Sequence, residues 1–186
     1  MLGLGTGIIR SALRSPIVYY NSDFSSDANG WTAWSVQDSA SDLTLSANAN
    51  PYTDLGGSAP NSSGWLKGVY GVNQTNQSGI QIDVSDSPIS VDTVSGDIWN
   101  ITGDLYIADG SDWSSFSSTI AYRIQVSNKI AIQIGGATPG QVVNFSALNK
   151  TSGSSIDTAI INFTSSQFPQ DGAIFYVKNI NITIYR

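Results

Sequence analysis

The chain has 186 residues, enough for one domain with a sizeable core. Its 14 acidic residues are all aspartate, and against eight basic residues they give a formal charge of −6. Cysteine and histidine are absent, which excludes disulfides, thiolate metal sites, imidazole bases and the common zinc sites. Glutamate is absent too, whereas Ser, Thr, Asn, Ile, Val and aromatic residues abound, so the composition favours β structure.

The chain begins with MLGLGTGIIRSALRSPI, in which glycines separate large apolar residues and both charges are positive. The glycine spacing lacks the preceding strand and the later acidic residue of a dinucleotide-binding loop. Exposed leucine and isoleucine in such number are unfavourable unless a partner buries them. We therefore expect residues 1–20 to be an anchoring arm rather than a free tail, with these partner-binding residues: Leu4, Ile8, Ile9, Arg10, Leu13 and Arg14.

From Asp23 onward, six basic and 14 acidic residues give the body a formal charge of −8. Such a surface repels phosphate backbones, so we expect no nucleic-acid partner. No apolar run approaches the ~20 residues of a membrane-spanning helix, and the start does not have the order of a signal peptide. The sequence also predicts no cofactor and no metal site.

The segment NSDFSSDANGWTAW follows the arm, and a long loop is expected at 48–63 because prolines and glycines interrupt all periodicity there. From residue 64, short runs alternate between apolar and polar residues, and each run predicts a strand. In the last run, Ile180, Ile182 and Ile184 share one face. The runs are GWLKGVYGV, SGIQIDVS, WNITGDLYIAD, TIAYRIQVSNKIAIQIGG, GQVVNFSAL, TAIINFTSS and GAIFYVKNINITIYR. This pattern predicts an all-β fold, an antiparallel jelly-roll β-sandwich over residues 21–186.

Aromatic residues are the candidates for sugar binding, because sugars stack on exposed rings flanked by polar groups. We assign Trp31, Trp34 and Tyr176 to the core. Trp113 lies in the polar stretch GSDWSSFSS and is expected to be exposed, with Trp99 and Tyr106 next as glycan-binding residues. The other candidates are Trp65, Tyr70 and Tyr122.

Catalysis would have to use aspartates, because a glycosidase can work with two carboxylates. Asp83 lies in the apolar run IQIDVS, although it is more simply the outward residue of a strand, and Asp109 and Asp112 lie in the turn ADGSDW. A hydrolase using these residues is the least favoured alternative, and the protein is expected not to be an enzyme.

Three motifs together resemble the jelly-roll carbohydrate-binding modules: DF…NGWTAW near the start, GDLYIAD in the middle and AIFYVKNINITIY at the end. The resemblance spans roughly residues 20–186. It implies a sandwich that binds glycans, and many such modules hold a structural calcium through an aspartate of the last strand. Here Lys178 stands in that place, and an ammonium repels Ca²⁺. Asp23, a usual neighbour in such a site, is expected to pair with Lys178.

The MLGLG-type start resembles the N-termini of bacteriophage tail and head-fibre proteins. The two resemblances together predict a structural protein of the phage virion, assembled in the host cytoplasm. Its arm would dock onto other virion proteins, and its jelly roll, as a homo-oligomer or in multiple copies, would decorate the particle or contact host surface glycans. The alternative is a free-standing or enzyme-appended carbohydrate-binding module.

Overall fold

A computed structural model describes residues 15–36, 42–109, 112–113, 119–126, 130–152, 157–163 and 168–186. The arm residues Leu4, Ile8, Ile9, Arg10, Leu13 and Arg14 lie outside this range. In chain order the elements are β1 (Pro16–Asn21), β2 (Thr32–Ser35), β3 (Leu43–Ala49), α1 (Pro51–Leu55), β4 (Trp65–Tyr70), β5 (Ser78–Asp83), β6 (Ile98–Ile107), β7 (Ile120–Val126), β8 (Ile130–Ala137), β9 (Val142–Thr151), β10 (Thr158–Phe163) and β11 (Ile174–Tyr185).

The strands form two antiparallel sheets. One sheet has the order β3-β4-β11-β6-β9, with β1 also pairing β11, and the other has the order β2-β5-β10-β7-β8. One apolar core draws residues from both sheets, among them Ile182 of β11 and Ile161 of β10. The expected all-β antiparallel sandwich is confirmed. Among the residues described, no helix is long and apolar enough to cross a membrane.

The last strand shows how the sequence sets which side chains are buried. Phe175 and Val177 face the core, and the alternation then shifts so that Ile180 and the alternate residues after it are buried as well. The shift occurs at a bulge where Asn179 has φ 52°, which inserts one residue into the strand. The predicted common face of the three isoleucines is confirmed.

Strand β1 lies across the boundary expected between arm and domain. Val18 is buried in the core, and residues from Pro16 onward pair with β11 as far as Asn21. The folded unit therefore reaches back to Pro16, whereas the sequence placed its start at residue 21. An anchoring role for the residues before this strand stays a prediction.

A second, smaller cluster lies on the outward side of the six-stranded sheet. There Trp65, Tyr106 and Tyr176 pack with Ala59 and Ala108. The segment that carries Ala59 begins with α1, which Asn50 caps by accepting hydrogen bonds from the backbone of residues 52 and 53. The long loop predicted at 48–63 thus contains a short helix.

Candidate functional site

The structure buries Trp113, the ring expected to be the most exposed. Only 4% of its surface is exposed, and its ring lies edge-on to Tyr70 and Phe163, with centroid distances of 6.3 and 5.0 Å. The indole Nε1 donates to the carbonyl oxygen of Ile174 at 3.1 Å. The expectation that Trp113 is exposed is wrong, because its ring fills an aromatic cluster and its donor finds a backbone partner.

Trp99 and Tyr106 are not exposed either. Trp99 points into the main core and is fully buried, whereas Tyr106 faces outward from the sheet but lies in the smaller cluster with 2% exposure. The structure therefore does not bring the three predicted glycan-binding rings together at the surface. Three other candidate rings are buried as well: Trp65, Tyr70 and Tyr122.

The aspartates considered for catalysis are dispersed. Asp83 ends β5 of the five-stranded sheet, and its Oδ1 accepts hydrogen bonds from the backbone and hydroxyl of Ser85 at 2.9 and 2.7 Å. Asp109 follows β6 of the other sheet and lines a small hollow with Tyr106. Within the described ranges, no three acidic side chains lie close enough together to hold a metal ion.

Lys178 lies in the hollow where the resemblance implies a calcium ion. This hollow of about 370 Å³ is also lined by Asp23 and Asn48. The ammonium donates to the carbonyl oxygen of Ser63 at 2.6 Å and to the hydroxyl of Ser62 at 3.3 Å. Asp23 Oδ1 instead accepts the amide of Ser25, so the expected pairing of Asp23 with Lys178 is not what the structure shows. A cation already occupies the hollow, so these residues do not fit a calcium ion.

The outward side of the five-stranded sheet carries an unusual set of polar side chains. By register, Trp34 of β2, Gly79 of β5, Asn162 of β10 and Arg123 of β7 form one row across the sheet. The next row contains Gln81, Ile160 and Gln125. These rows lie on the side of the sheet opposite the core, because residues directly before or after them in each strand belong to the core or pack against it. We call Trp34, Gln81, Arg123, Gln125 and Asn162 the outer polar face.

Several members of this face are buried although they point away from the core. Asn162 is fully buried, Gln125 is 3% exposed and Trp34 is 6% exposed, whereas Arg123 and Gln81 are half-buried. The assignment of Trp34 to the core is thus corrected: its ring is buried, but on the outward side of the sheet. A Cβ on Gly79, between Trp34 and Asn162 in the row, would lie 2.1 Å from a backbone oxygen of β10, so only glycine fits.

Two polar atoms of the outer polar face are buried without a partner. The Asn162 amide nitrogen donates to the Gln125 amide oxygen, but Asn162 Oδ1 accepts no hydrogen bond. Arg123 Nε is also buried and donates to none of the described residues. Over 90% of buried backbone polar groups and most buried side-chain polar atoms have a partner, and an unpaired one costs about 1–3 kcal/mol. Two such atoms on neighbouring strands make this face a candidate place for a polar ligand or for ordered water.

Sequence reasoning missed this face because the polar residues of an alternating strand are usually just solvated. Gln81, Arg123 and Gln125 occupy such ordinary positions in IQID and AYRIQV. Asn162 carried the clearest signal, since it is the one polar residue inside the apolar run AIINF. A lone carboxamide in such a run needs a specific partner.

No protein-family model matches the chain, and no curated protein sequence matches it. Its fold is nevertheless similar to that of solved structures. One is the C-terminal family 22 carbohydrate-binding module of the Clostridium thermocellum xylanase, with a TM-score of 0.55 and 14% identity over 89% of this chain and 93% of that module.

A second similar structure joins the N-terminal family 22 module of that xylanase to its catalytic module and holds xylohexaose. Its TM-score is 0.55 with 13% identity over 90% of this chain, which spans 28% of the length of that longer protein. A third is a Stig cyclase from Fischerella in complex with an indole compound, with a TM-score of 0.55 and 8% identity over 92% of this chain and 98% of the cyclase. At these identities the likeness concerns the fold alone. The chain thus has the jelly-roll β-sandwich fold of carbohydrate-binding modules, as expected.

Proposed function

We propose that this domain binds a carbohydrate through the outer polar face and has no catalytic activity of its own. The observation that carries the proposal is the pair of buried, unpartnered atoms, Asn162 Oδ1 and Arg123 Nε, on the outward side of a sheet. Sugar hydroxyls both donate and accept hydrogen bonds, so one ligand can satisfy an amide oxygen and a guanidinium together.

The composition of the face also suits a sugar. Carboxamides of Gln81, Gln125 and Asn162 supply neutral donors and acceptors, and Trp34 adds buried apolar surface on the same side of the sheet. Ligand sites combine apolar surface with a few placed polar groups in this way. The name of one structural neighbour, a family 22 carbohydrate-binding module, supports the same class of ligand.

A glycosidase needs two carboxylates flanking the scissile bond. On the outward side of the five-stranded sheet the described residues include Asp83, whose Oδ1 is engaged by Ser85. Because a Stig cyclase has a similar fold, the fold by itself does not decide between binding and catalysis. Incubating the protein with each bound polysaccharide and measuring released reducing ends tests the point. Product release that Asp83→Asn abolishes would contradict the proposal.

The binding test uses the full chain on a panel of immobilised xylans, mannans, β-glucans and bacterial surface polysaccharides. We expect at least one of these polysaccharides to retain the protein. Gln81→Ala should weaken the affinity for that polysaccharide about fivefold, which corresponds to the loss of one hydrogen bond. Thr183→Ala is the matched control, because Thr183 is a half-buried outward residue of the other sheet. No retention on any polysaccharide, or equal weakening by both variants, would contradict the proposal.

We also propose, from the sequence of the arm, that this module belongs to a phage particle. The supporting features are the apolar residues and two arginines of residues 1–14 and their position just before β1. In this reading the arm docks onto other virion proteins, and many copies display the glycan-binding face. Comparing incorporation of the full chain and of residues 15–186 into particles tests it. Equal incorporation would remove the anchoring role and leave a free-standing module.

A further inference from the structure

Among the residues that the structure describes, Arg123 has no anionic partner, although acids outnumber bases in the chain. Among the described residues the ion pairs are Lys67 with Asp54 and Arg186 with Asp97, and both lie elsewhere. A guanidinium stays charged at any physiological pH and offers five donors in a planar fork. With 14 aspartates in the chain, an arginine on a sheet that no described acid pairs is unusual.

The described neighbours of Arg123 on the outward side of β10 and β7 are neutral, and its cross-strand partner on β8 is Ile134. Asn162 is its cross-strand partner on β10, and Ala121 and Gln125 are the adjacent outward residues of β7 itself. Asp83 ends β5, two strands away, and its Oδ1 is engaged by Ser85. No described acid beside the partly buried guanidinium therefore compensates its charge. Burying an unpaired positive charge is unfavourable unless a ligand supplies a negative charge.

We infer that the outer polar face selects glycans that carry a carboxylate, such as a uronic or sialic acid, and that Arg123 binds this group. The inference rests on the proposed function and narrows its ligand class. A carboxylate matches the guanidinium fork with two parallel hydrogen bonds, which a hydroxyl cannot do. Asn162 Oδ1 remains free to accept a hydrogen bond from a neighbouring hydroxyl of the same sugar.

The charge of the protein limits how acidic this glycan is. The formal charge of −6 opposes the approach of a polyanion, although salt at 0.15 M screens charges beyond about 8 Å. A single carboxylate beside Arg123 forms the short-range ion pair with the guanidinium, and it meets little long-range repulsion from the negative charge of the protein. The favoured ligand is thus a largely neutral glycan with isolated acidic sugars, rather than a densely charged one.

The test measures calorimetric affinities for matched oligosaccharides in 0.15 M salt. The pairs are lactose with sialyllactose, and xylohexaose with a xylo-oligosaccharide that carries one glucuronic acid branch. We expect the acidic member of at least one pair to bind about tenfold more tightly, about 1.4 kcal/mol. Methyl esterification of the carboxyl group should remove the gain, and this control leaves the protein unchanged.

Arg123→Gln should abolish the preference for the acidic member, and Arg123→Lys should keep part of it because the charge remains but the fork is lost. Lys150→Gln is the charge-matched control, since Lys150 is a half-buried cation on β9 of the other sheet. We expect this variant to keep the preference. Equal loss in Lys150→Gln and Arg123→Gln would overturn the inference, because the effect would then be one of net charge.

Other outcomes separate the inference from the proposed function. Suppose that glycans bind and that Gln81→Ala weakens their binding, but that the acidic and neutral members of both pairs bind equally or not at all. The inference then falls, and the proposed function stands. Tighter binding of a heparin tetrasaccharide than of any singly charged oligosaccharide would overturn the isolated-carboxylate preference. If no glycan on the panel binds, the proposed function falls and the inference falls with it.

Discussion

Replacing Trp113 with alanine should cost stability and should not act as the loss of a sugar-binding ring. The indole is 4% exposed, contacts two aromatic rings and donates to the Ile174 carbonyl oxygen at 3.1 Å. Removing a buried tryptophan costs about 3–5 kcal/mol, against a total stability of about 5–15 kcal/mol. In a chain of this size, each 1 kcal/mol shifts the midpoint of thermal unfolding by about 2–4 °C, so a fall of about 6 to 20 °C is expected.

Far-UV circular dichroism of thermal unfolding is the assay, because it does not depend on the tryptophan that is removed. Tyr19→Ala is the control, since Tyr19 is 80% exposed and its loss should stay within about 0.5 kcal/mol. Trp113→Phe should fall between the two variants. Its ring is kept, and the Ile174 carbonyl oxygen still accepts the Ala108 amide at 3.1 Å. If Trp113→Ala unfolds like Tyr19→Ala and loses glycan binding, the burial of this ring is refuted.

Three further predictions concern the sandwich as a whole. A chain of residues 15–186 should unfold at the same temperature as the full-length chain. A chain of residues 21–186 should be clearly less stable, because it lacks most of β1 and the buried Val18. Equal melting temperatures of the two shortened chains would contradict the role of β1. Millimolar Ca²⁺ should not raise the melting temperature, since Lys178 occupies the hollow, and a rise reversed by chelator would contradict this. Burial raises the pKa of Tyr70 above its usual 10, so its contribution to stability is present below pH 10 and should be lost as the pH rises further; Tyr70→Phe should flatten that loss in a pH series of urea unfolding curves.

The strands after residue 64 could be predicted because period-two alternation fixes both their type and their faces. The runs that contain Ile182 and Ile161 coincide with β11 and β10. Strands β1 to β3 were not predicted from the sequence. They lie among turn residues, and the pairing of β1 depends on β11, the strand farthest from it in the sequence.

The candidate site could not be predicted from alternation alone. A strand pattern separates two faces, but the packing of the second sheet decides which face is inside, as Trp34 and its neighbour Ala33 show. The sequence also did not show which aromatic rings are exposed. Tyr106 faces outward from its sheet, and the segment around Ala59 buries it, a contact between residues far apart in the sequence. Asn162, polar within an apolar run, is the one residue whose sequence context could have pointed to this place.

The most direct test of glycan binding by the outer polar face is amide chemical-shift mapping of the full chain, titrated with the oligosaccharide of the panel that binds most tightly. We expect shifts to concentrate on β5, β7 and β10, and the side-chain amides of Gln125 and Asn162 and the Nε–H of Arg123 to move as they gain partners. Shifts confined to the six-stranded sheet or to the hollow around Lys178, with these three side chains unchanged, would contradict it.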